Sequence, residues 1–179
     1  MSSSFKQRYP TLPLKYMFQI FEIAGVPILV HLSTFIFLGF FTVLALFWGW
    51  PFLVLALLCL ALIFFHELGH YYVAQHYGYR CHGIFLFPFL GICFFDEPEF
   101  LIEEIAIAWA GIGVQFFWLL IAAIIFYTWS EPPTLIRLFL FIFGFANILV
   151  IFMNLIPVSL LDGKKAWKII PYWRESWRG

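Results

Sequence analysis

Charge is what this sequence has least of. Asp, Glu, Lys and Arg supply 11% of the 179 residues, and between Tyr16 and Tyr79 the only formally charged side chains are Glu22 and Glu67. Net charge is missing too, because ten basic residues balance ten acidic ones. That removes the electrostatic basis for binding nucleic acid. Cysteine is scarce: Cys59, Cys81 and Cys93 are odd in number and lack metal-like spacing. No disulfide framework is expected; Cys59 reads as lipid-facing or packed in the core, and Cys81 and Cys93 as free thiols, with a bridge between them as the lesser alternative. The first seventeen residues are polar and mixed, with no small-residue cleavage pattern after the first apolar run. The first membrane segment is therefore expected to stay in the mature chain. Ser2 in place of Gly excludes N-myristoylation.

What is present is apolar surface. Hydrophobic residues make up 64% of the chain and aromatics 23%, with mean hydropathy +0.95. A soluble domain of this length cannot cover that much apolar area, so a lipid bilayer is the expected solvent. The expected fold class is an all-α integral membrane domain of about four transmembrane helices, with a small β-hairpin or re-entrant loop between helices 2 and 3. Residues 1–179 are read as one membrane-embedded unit with a cytoplasmic arm at 1–17 and an interfacial tail at 164–179.

Along the chain, Ile23 to His31 holds Gly25, Pro27 and β-branched residues, which favours a short extended segment. The apolar runs predict helices over about Leu32–Trp50, Phe52–His76, Ile102–Tyr127 and Thr134–Ile156, each long enough to span. Trp48 and Trp50 would anchor the far end of the first, Pro51 would tighten the turn, and Gly78 would cap the second. Phe85–Phe89 and Ile92–Phe95 are short aromatic runs about Leu90-Gly91, read as the hairpin. Asp96, Glu97, Glu99, Glu103 and Glu104 suit the start of a helix dipole, with a second metal site as the lesser reading. Trp167, Tyr172, Trp173 and Trp177 interleaved with Lys164, Lys165, Lys168, Arg174 and Arg178 suit a segment on an anionic membrane surface, more an anchor than a catalytic part.

Four spans put nine of the ten basic residues on one side, with Arg137 alone opposite. The positive-inside rule then gives a cytoplasmic N-terminus and C-terminus; the membrane is expected to be a prokaryotic cell membrane. His66, Glu67 and His70 fall in the cytoplasmic half of the second helix. An acid at that depth costs at least about 2.5 kcal/mol on insertion scales, so it needs a partner. His66 and His70 are four apart and share a helix face, with Glu67 about 100° further round. H-E-x-x-H supplies two zinc ligands and a carboxylate placed to take a proton from a zinc-activated water. Catalytic zinc takes a third protein ligand. Asp162 is the best candidate, because the fourth helix delivers it to the same side while other acids cluster at helix ends.

Other polar groups have plainer readings. His31 is expected at the interface, bonded to nearby backbone, and His76 and His82 in solvent. Asn147 reads as packing glue. Gln115 and Asn154 divide between interhelical hydrogen bonding and a role at the site.

Phe64-Phe65-His66-Glu67-Leu68-Gly69-His70, followed by Asn154-Leu155-Ile156-Pro157-Val158-Ser159-Leu160-Leu161-Asp162-Gly163, resembles the site-2 protease family of intramembrane zinc metalloproteases, which pairs H-E-x-x-H with N-x-x-P-x-x-x-x-D-G. Ile28–His31 and Phe87–Gly91 resemble it more weakly, and the similarity covers about residues 20–170. The resemblance implies Zn2+ held by His66, His70 and Asp162, catalysis by Glu67, and Asn154 near the scissile carbonyl. Ala110-Gly111-Ile112-Gly113-Val114-Gln115 departs from the family's A-G-P-x-x-N, and Leu90-Gly91 from its Gly pair. No PDZ-like or CBS-like module stands in the sequence. The implied function is a zinc endopeptidase acting on transmembrane segments of membrane-protein substrates, in regulated intramembrane proteolysis. The alternatives are a proteolytically silent zinc-binding membrane partner protein and a small metal transporter.

Overall fold

The structure, a computed structural model, describes residues 15–158 and 161–176. Lys6 and Arg8 of the expected arm, Ser159 and Leu160 of the second motif, and Trp177 and Arg178 of the expected tail lie outside the described residues.

A hairpin opens the described chain. Strand β1 (Met17–Ile23) runs antiparallel to β2 (Val26–His31). Ala24 at φ 49° and Gly25 at φ +81° form the turn. Positive φ at both central residues matches the twist of the flanking strands, and Gly25 adopts it without cost. The extended segment expected at Ile23–His31 is therefore the second arm of a hairpin whose first arm went unread. β1 lacks a clean two-residue alternation, and Phe18, Ile20 and Phe21 are all exposed.

Helix α1 (Leu32–Trp48) begins where His31 caps it, accepting the Ser33 N–H at 3.2 Å. It ends earlier than expected, because Gly49 leaves helical geometry at φ +104°. Its 17 residues make it about 25 Å long, short of the roughly 30 Å hydrocarbon core. Helix α2 (Pro51–His76) starts with Pro near its first position, where a missing N–H costs nothing. Among the described residues three helices are long and apolar enough to cross a membrane: α2, α3 (Leu101–Thr128) and α4 (Thr134–Leu155). The chain is thus a mostly helical, multi-pass membrane protein with a small sheet.

α2 ends in a Schellman motif, with Tyr79 N–H to Ala74 O at 2.9 Å and Gly78 N–H to Gln75 O at 3.0 Å. The chain then forms β3 (Cys81–Leu86) and β4 (Gly91–Phe95), the expected hairpin. β3 lies parallel to β2, so the sheet order is β1-β2-β3-β4 with α1 and α2 in the crossover. Ile28, Ile84 and Tyr71 form a buried cluster that fastens this sheet to α2. β4 is left as an edge strand beside that helix.

α3 packs most closely on α2 at Gly69. A Cβ there would stand 2.7 Å from the Ala110 carbonyl, so the contact needs glycine. α4 is α-helical over Thr134–Phe139, π-helical over Leu140–Ala146 and α-helical again over Asn147–Leu155. Asn147, fully buried, donates to the Gln115 carbonyl at 2.7 Å and ties α4 to α3, the packing role expected of it. Beyond Pro157 come two short helices, α5 (Gly163–Ala166) and α6 (Ile169–Ser176).

At Gly78, φ is +87° and an added Cβ would meet nothing within 4 Å. Gly78→Ala is therefore a pure backbone test. It is expected to cost about 1 kcal/mol, read as a lower thermal midpoint in detergent with no change in metal content.

Candidate metal centre

The second half of α2 turns its polar side chains inward. His66 is 7% exposed, Glu67 4% and His70 6%. Their ligand atoms lie within 4.8 Å of one another. Asp162, at the start of α5, completes the group from a segment that local sequence does not bring near: its Oδ2 is 3.0 Å from His66 Nε2 and 3.2 Å from His70 Nε2. The two imidazole Nε2 atoms are 3.1 Å apart.

That triangle fits a metal. Tetrahedral zinc with ligands at about 2.0–2.1 Å sets ligand atoms roughly 3.3 Å apart. His70 Nδ1 faces the Ile107 carbonyl at 2.7 Å. A carbonyl only accepts, so Nδ1 carries the proton and Nε2 offers its lone pair to the triangle. Asp162 Oδ2 and His66 Nδ1 are buried without a hydrogen bond. Lone pairs converging at 3.0–3.2 Å repel unless a cation or protons lie among them. Burial alone would raise the Asp162 carboxyl, but the imidazoles of His70 and His66 outweigh it and hold the group below the usual carboxylate range.

Two glycines make the room. A Cβ on Gly111 of α3 would stand 2.5 Å from His70 Nε2 and 2.6 Å from His66 Cε1. One on Gly91, at the start of β4, would come within 2.6 Å of Glu67 Cδ. No side-chain pattern announces either role: Gly111 admits two imidazole rings and Gly91 a carboxylate. The Cys93 N–H faces the Glu67 carboxylate. Since β3 occupies one side of β4, that N–H belongs to the open edge of the sheet, and the edge faces the carboxylate. Glu67 thus meets the sheet edge, while Asp162 meets the two imidazoles.

The side chains open on a cleft of about 240 Å³, also lined by Gly91, Cys93, Gln115 and Asn154. Asn154 Nδ2 donates to Gln115 Oε1 at 3.4 Å, and Gln115 Nε2, in a residue 1% exposed, has no partner. These amides therefore join α3 to α4, the interhelical bonding that was one of their two readings, beside the cleft.

The remaining candidates fall elsewhere. His31 caps α1 and packs on Phe87, with ring centroids 5.1 Å apart. His82 is not solvated as expected; its Nε2 lies 2.7 Å from Asp96 Oδ1, and this contact lowers the Asp96 carboxyl from its ordinary value. The acidic run is divided among separate partners, with Glu103 bonded to the Tyr79 hydroxyl and Glu104 to Lys168. Among the described residues it forms no metal-competent group. Cys81 and Cys93 are free thiols with Sγ atoms 3.6 Å apart. Their hydrogen bond lowers Cys81 from its ordinary value and raises Cys93.

No model of a known protein family matches the chain. Stage IV sporulation protein FB of Bacillus subtilis is 38% identical over 113 residues, 62% of this chain and 38% of that protein. A zinc metalloprotease of Methanocaldococcus jannaschii is 29% identical over 163 residues, 88% of this chain and 46% of that protein. The chain thus spans less than half the length of these curated relatives. Among solved structures, the site-2 protease from Methanocaldococcus jannaschii matches with TM-score 0.70 at 29% identity, covering 87% of this chain and 71% of that one. Fold and site define a multi-pass membrane protein whose buried His–Glu–His group can hold a metal ion. In sequence and fold the chain is similar to proteins of the site-2 protease family.

The glycine cradle gives a direct check. Gly111→Ala is expected to reduce bound zinc, measured by elemental analysis of purified protein, by at least about tenfold, because the methyl occupies the space of both imidazoles.

Proposed function

We propose that the chain is a zinc endopeptidase that hydrolyses peptide bonds in or near the transmembrane segments of other membrane proteins. The observation that carries this reading is the position of Asp162: an acid 92 residues beyond His70 in the sequence meets both imidazoles, with Glu67 buried in the same cleft.

In this reading His66, His70 and Asp162 hold the zinc. Bound zinc supplies Lewis acidity, which polarises the scissile carbonyl and makes water a nucleophile near neutral pH. Glu67 takes the proton from the attacking water and returns it to the leaving amine. Its burial suits the task, since the apolar surroundings keep bulk water from competing for that proton. Asn154 has a second amide hydrogen beyond the one given to Gln115, and it donates to the oxygen that gains negative charge. Gly91 leaves the Glu67 carboxylate uncovered from the β4 side.

An intact substrate helix hides its carbonyls in hydrogen bonds, so cleavage needs an unwound segment. The open edge of β4 offers that segment a strand to pair with beside Glu67. Slower amide exchange at residues 92–95 on adding a membrane segment to the Glu67→Gln variant is the expected sign of it; unchanged exchange contradicts it.

The reading includes four spans, α1 tilting little or thinning the bilayer to cross, with both chain ends cytoplasmic by the distribution of Lys and Arg. Cleavage then falls near the cytoplasmic side.

Co-expression with single-span membrane proteins tests the whole proposal. Glu67→Gln is expected to retain zinc and to lower cleavage by at least about 100-fold. His66→Ala is expected to lose both metal and cleavage. Asn154→Ala should keep zinc and lose about 100-fold in rate. Cleavage undiminished in Glu67→Gln would overturn the assignment of the base.

A further inference from the structure

Asp162 is the ligand with the least support from its own segment. Pro157 has ended α4, and the helix that follows Asp162 has only four residues. The Asp162 side chain makes no capping bond to that helix, so nothing local fixes its direction. Its backbone is better held: its carbonyl accepts the Lys165 and Ala166 N–H groups at 2.9 and 2.8 Å. Wherever the α5 turn is placed, Asp162 goes with it.

That turn is placed by α3. Trp109 Nε1 donates to the Ala166 carbonyl at 3.1 Å, and Ala166 is fully buried. A Cβ on Gly163 would stand 2.5 Å from the Ile156 carbonyl, so the turn lies directly against the end of α4. One charged contact completes the attachment. Glu104 Oε2 meets Lys168 Nζ at 2.7 Å, and Glu104 Oε1 lies 3.9 Å from Lys165 Nζ. The Glu104 side chain is only 22% exposed and lines the same cleft as the ligands.

Glu104, Ile107 and Gly111 follow one another at helical spacing along one face of α3. Ile107 orients His70 and Gly111 admits both imidazoles. We propose that Glu104 is the positioning residue for the third ligand: by gripping Lys165 within the α5 turn and Lys168 just beyond it, it holds Asp162 in register with His66 and His70. One face of α3 then aligns both halves of the metal set, although it contributes no ligand itself. The contact joins residues 64 apart in sequence, from an acidic helix start to what reads locally as a basic membrane tail.

An ion pair whose lysine end stays open to solvent contributes little to folding stability. The effect should therefore show in metal affinity and not in folding. This inference rests on the zinc reading above, and its test separates the two. Zinc affinity is measured by competition with a chromophoric chelator on the purified chain in detergent, alongside the thermal midpoint of the metal-free protein. Glu104→Gln and Lys168→Met are each expected to weaken zinc binding about tenfold while leaving the metal-free midpoint near wild type. The exchange Glu104→Lys with Lys168→Glu should bring affinity back above that of Glu104→Lys alone. Wild-type affinity in both single variants overturns the inference and leaves the zinc reading standing. So does an exchanged pair no better than the single reversal. Absence of zinc binding by the wild-type chain overturns both.

Discussion

The architecture depends on one constraint: ionisable groups inside an apolar helix must be paired. His66, Glu67 and His70 lie in a helix long and apolar enough to cross a membrane, where an unpaired acid or protonated imidazole is expensive. The surrounding elements each supply part of the answer. α3 gives a carbonyl to His70 and a side-chain-free space at Gly111. β4 gives a backbone N–H to Glu67. The segment after α4 delivers Asp162. Each group is oriented by a neighbour from a different element, so the helices and the sheet have to dock in one arrangement for the site to exist.

The same constraint separates the two carboxylates. Asp162 touches both imidazole Nε2 atoms, whereas Glu67 faces the Cys93 N–H at the sheet edge. One acid therefore closes a triangle with the two imidazoles, and the other faces the same cleft beside it. Local position within H-E-x-x-H gives that division only in outline; the edge strand makes it definite. It also explains why a membrane protein carries a four-stranded sheet at all, because β4 needs β3 and β2 behind it to hold its free edge beside α2.

Much of this was legible in the residues. Apolar runs gave the bounds of α2, α3 and α4 to within about two residues, as expected where hydrophobic length and capping residues agree. Leu90-Gly91 between aromatic runs gave the β3–β4 hairpin. What escaped was non-local or conformational. α1 is shorter than its apolar run because Gly49 turns away, and β1 was missed because Met17–Ile23 has no clear alternation, although Ala24-Gly25 between two β-rich runs was an available signal. His82 was placed in solvent because its partner, Asp96, is on the opposite arm of a hairpin. Lys165 and Lys168 read as membrane-surface charge because basic and aromatic residues share that stretch; their contact with Glu104 depends on the fold bringing α5 back to α3. The three ligand candidates are legible in the sequence because metal chemistry demands few residue types, whereas the groups around them are backbone carbonyls, N–H groups and missing Cβ atoms, which no side-chain pattern announces.

The central claim is that His66, His70 and Asp162 form one zinc centre. X-ray absorption at the zinc edge on the purified, zinc-loaded chain tests it most directly. The account predicts nitrogen and oxygen ligands at about 2.0–2.1 Å with two imidazoles, and loss of the oxygen contribution from the protein in Asp162→Ala. Sulfur scattering at about 2.3 Å, pointing to Cys81 and Cys93, or a spectrum unchanged by Asp162→Ala, would contradict it.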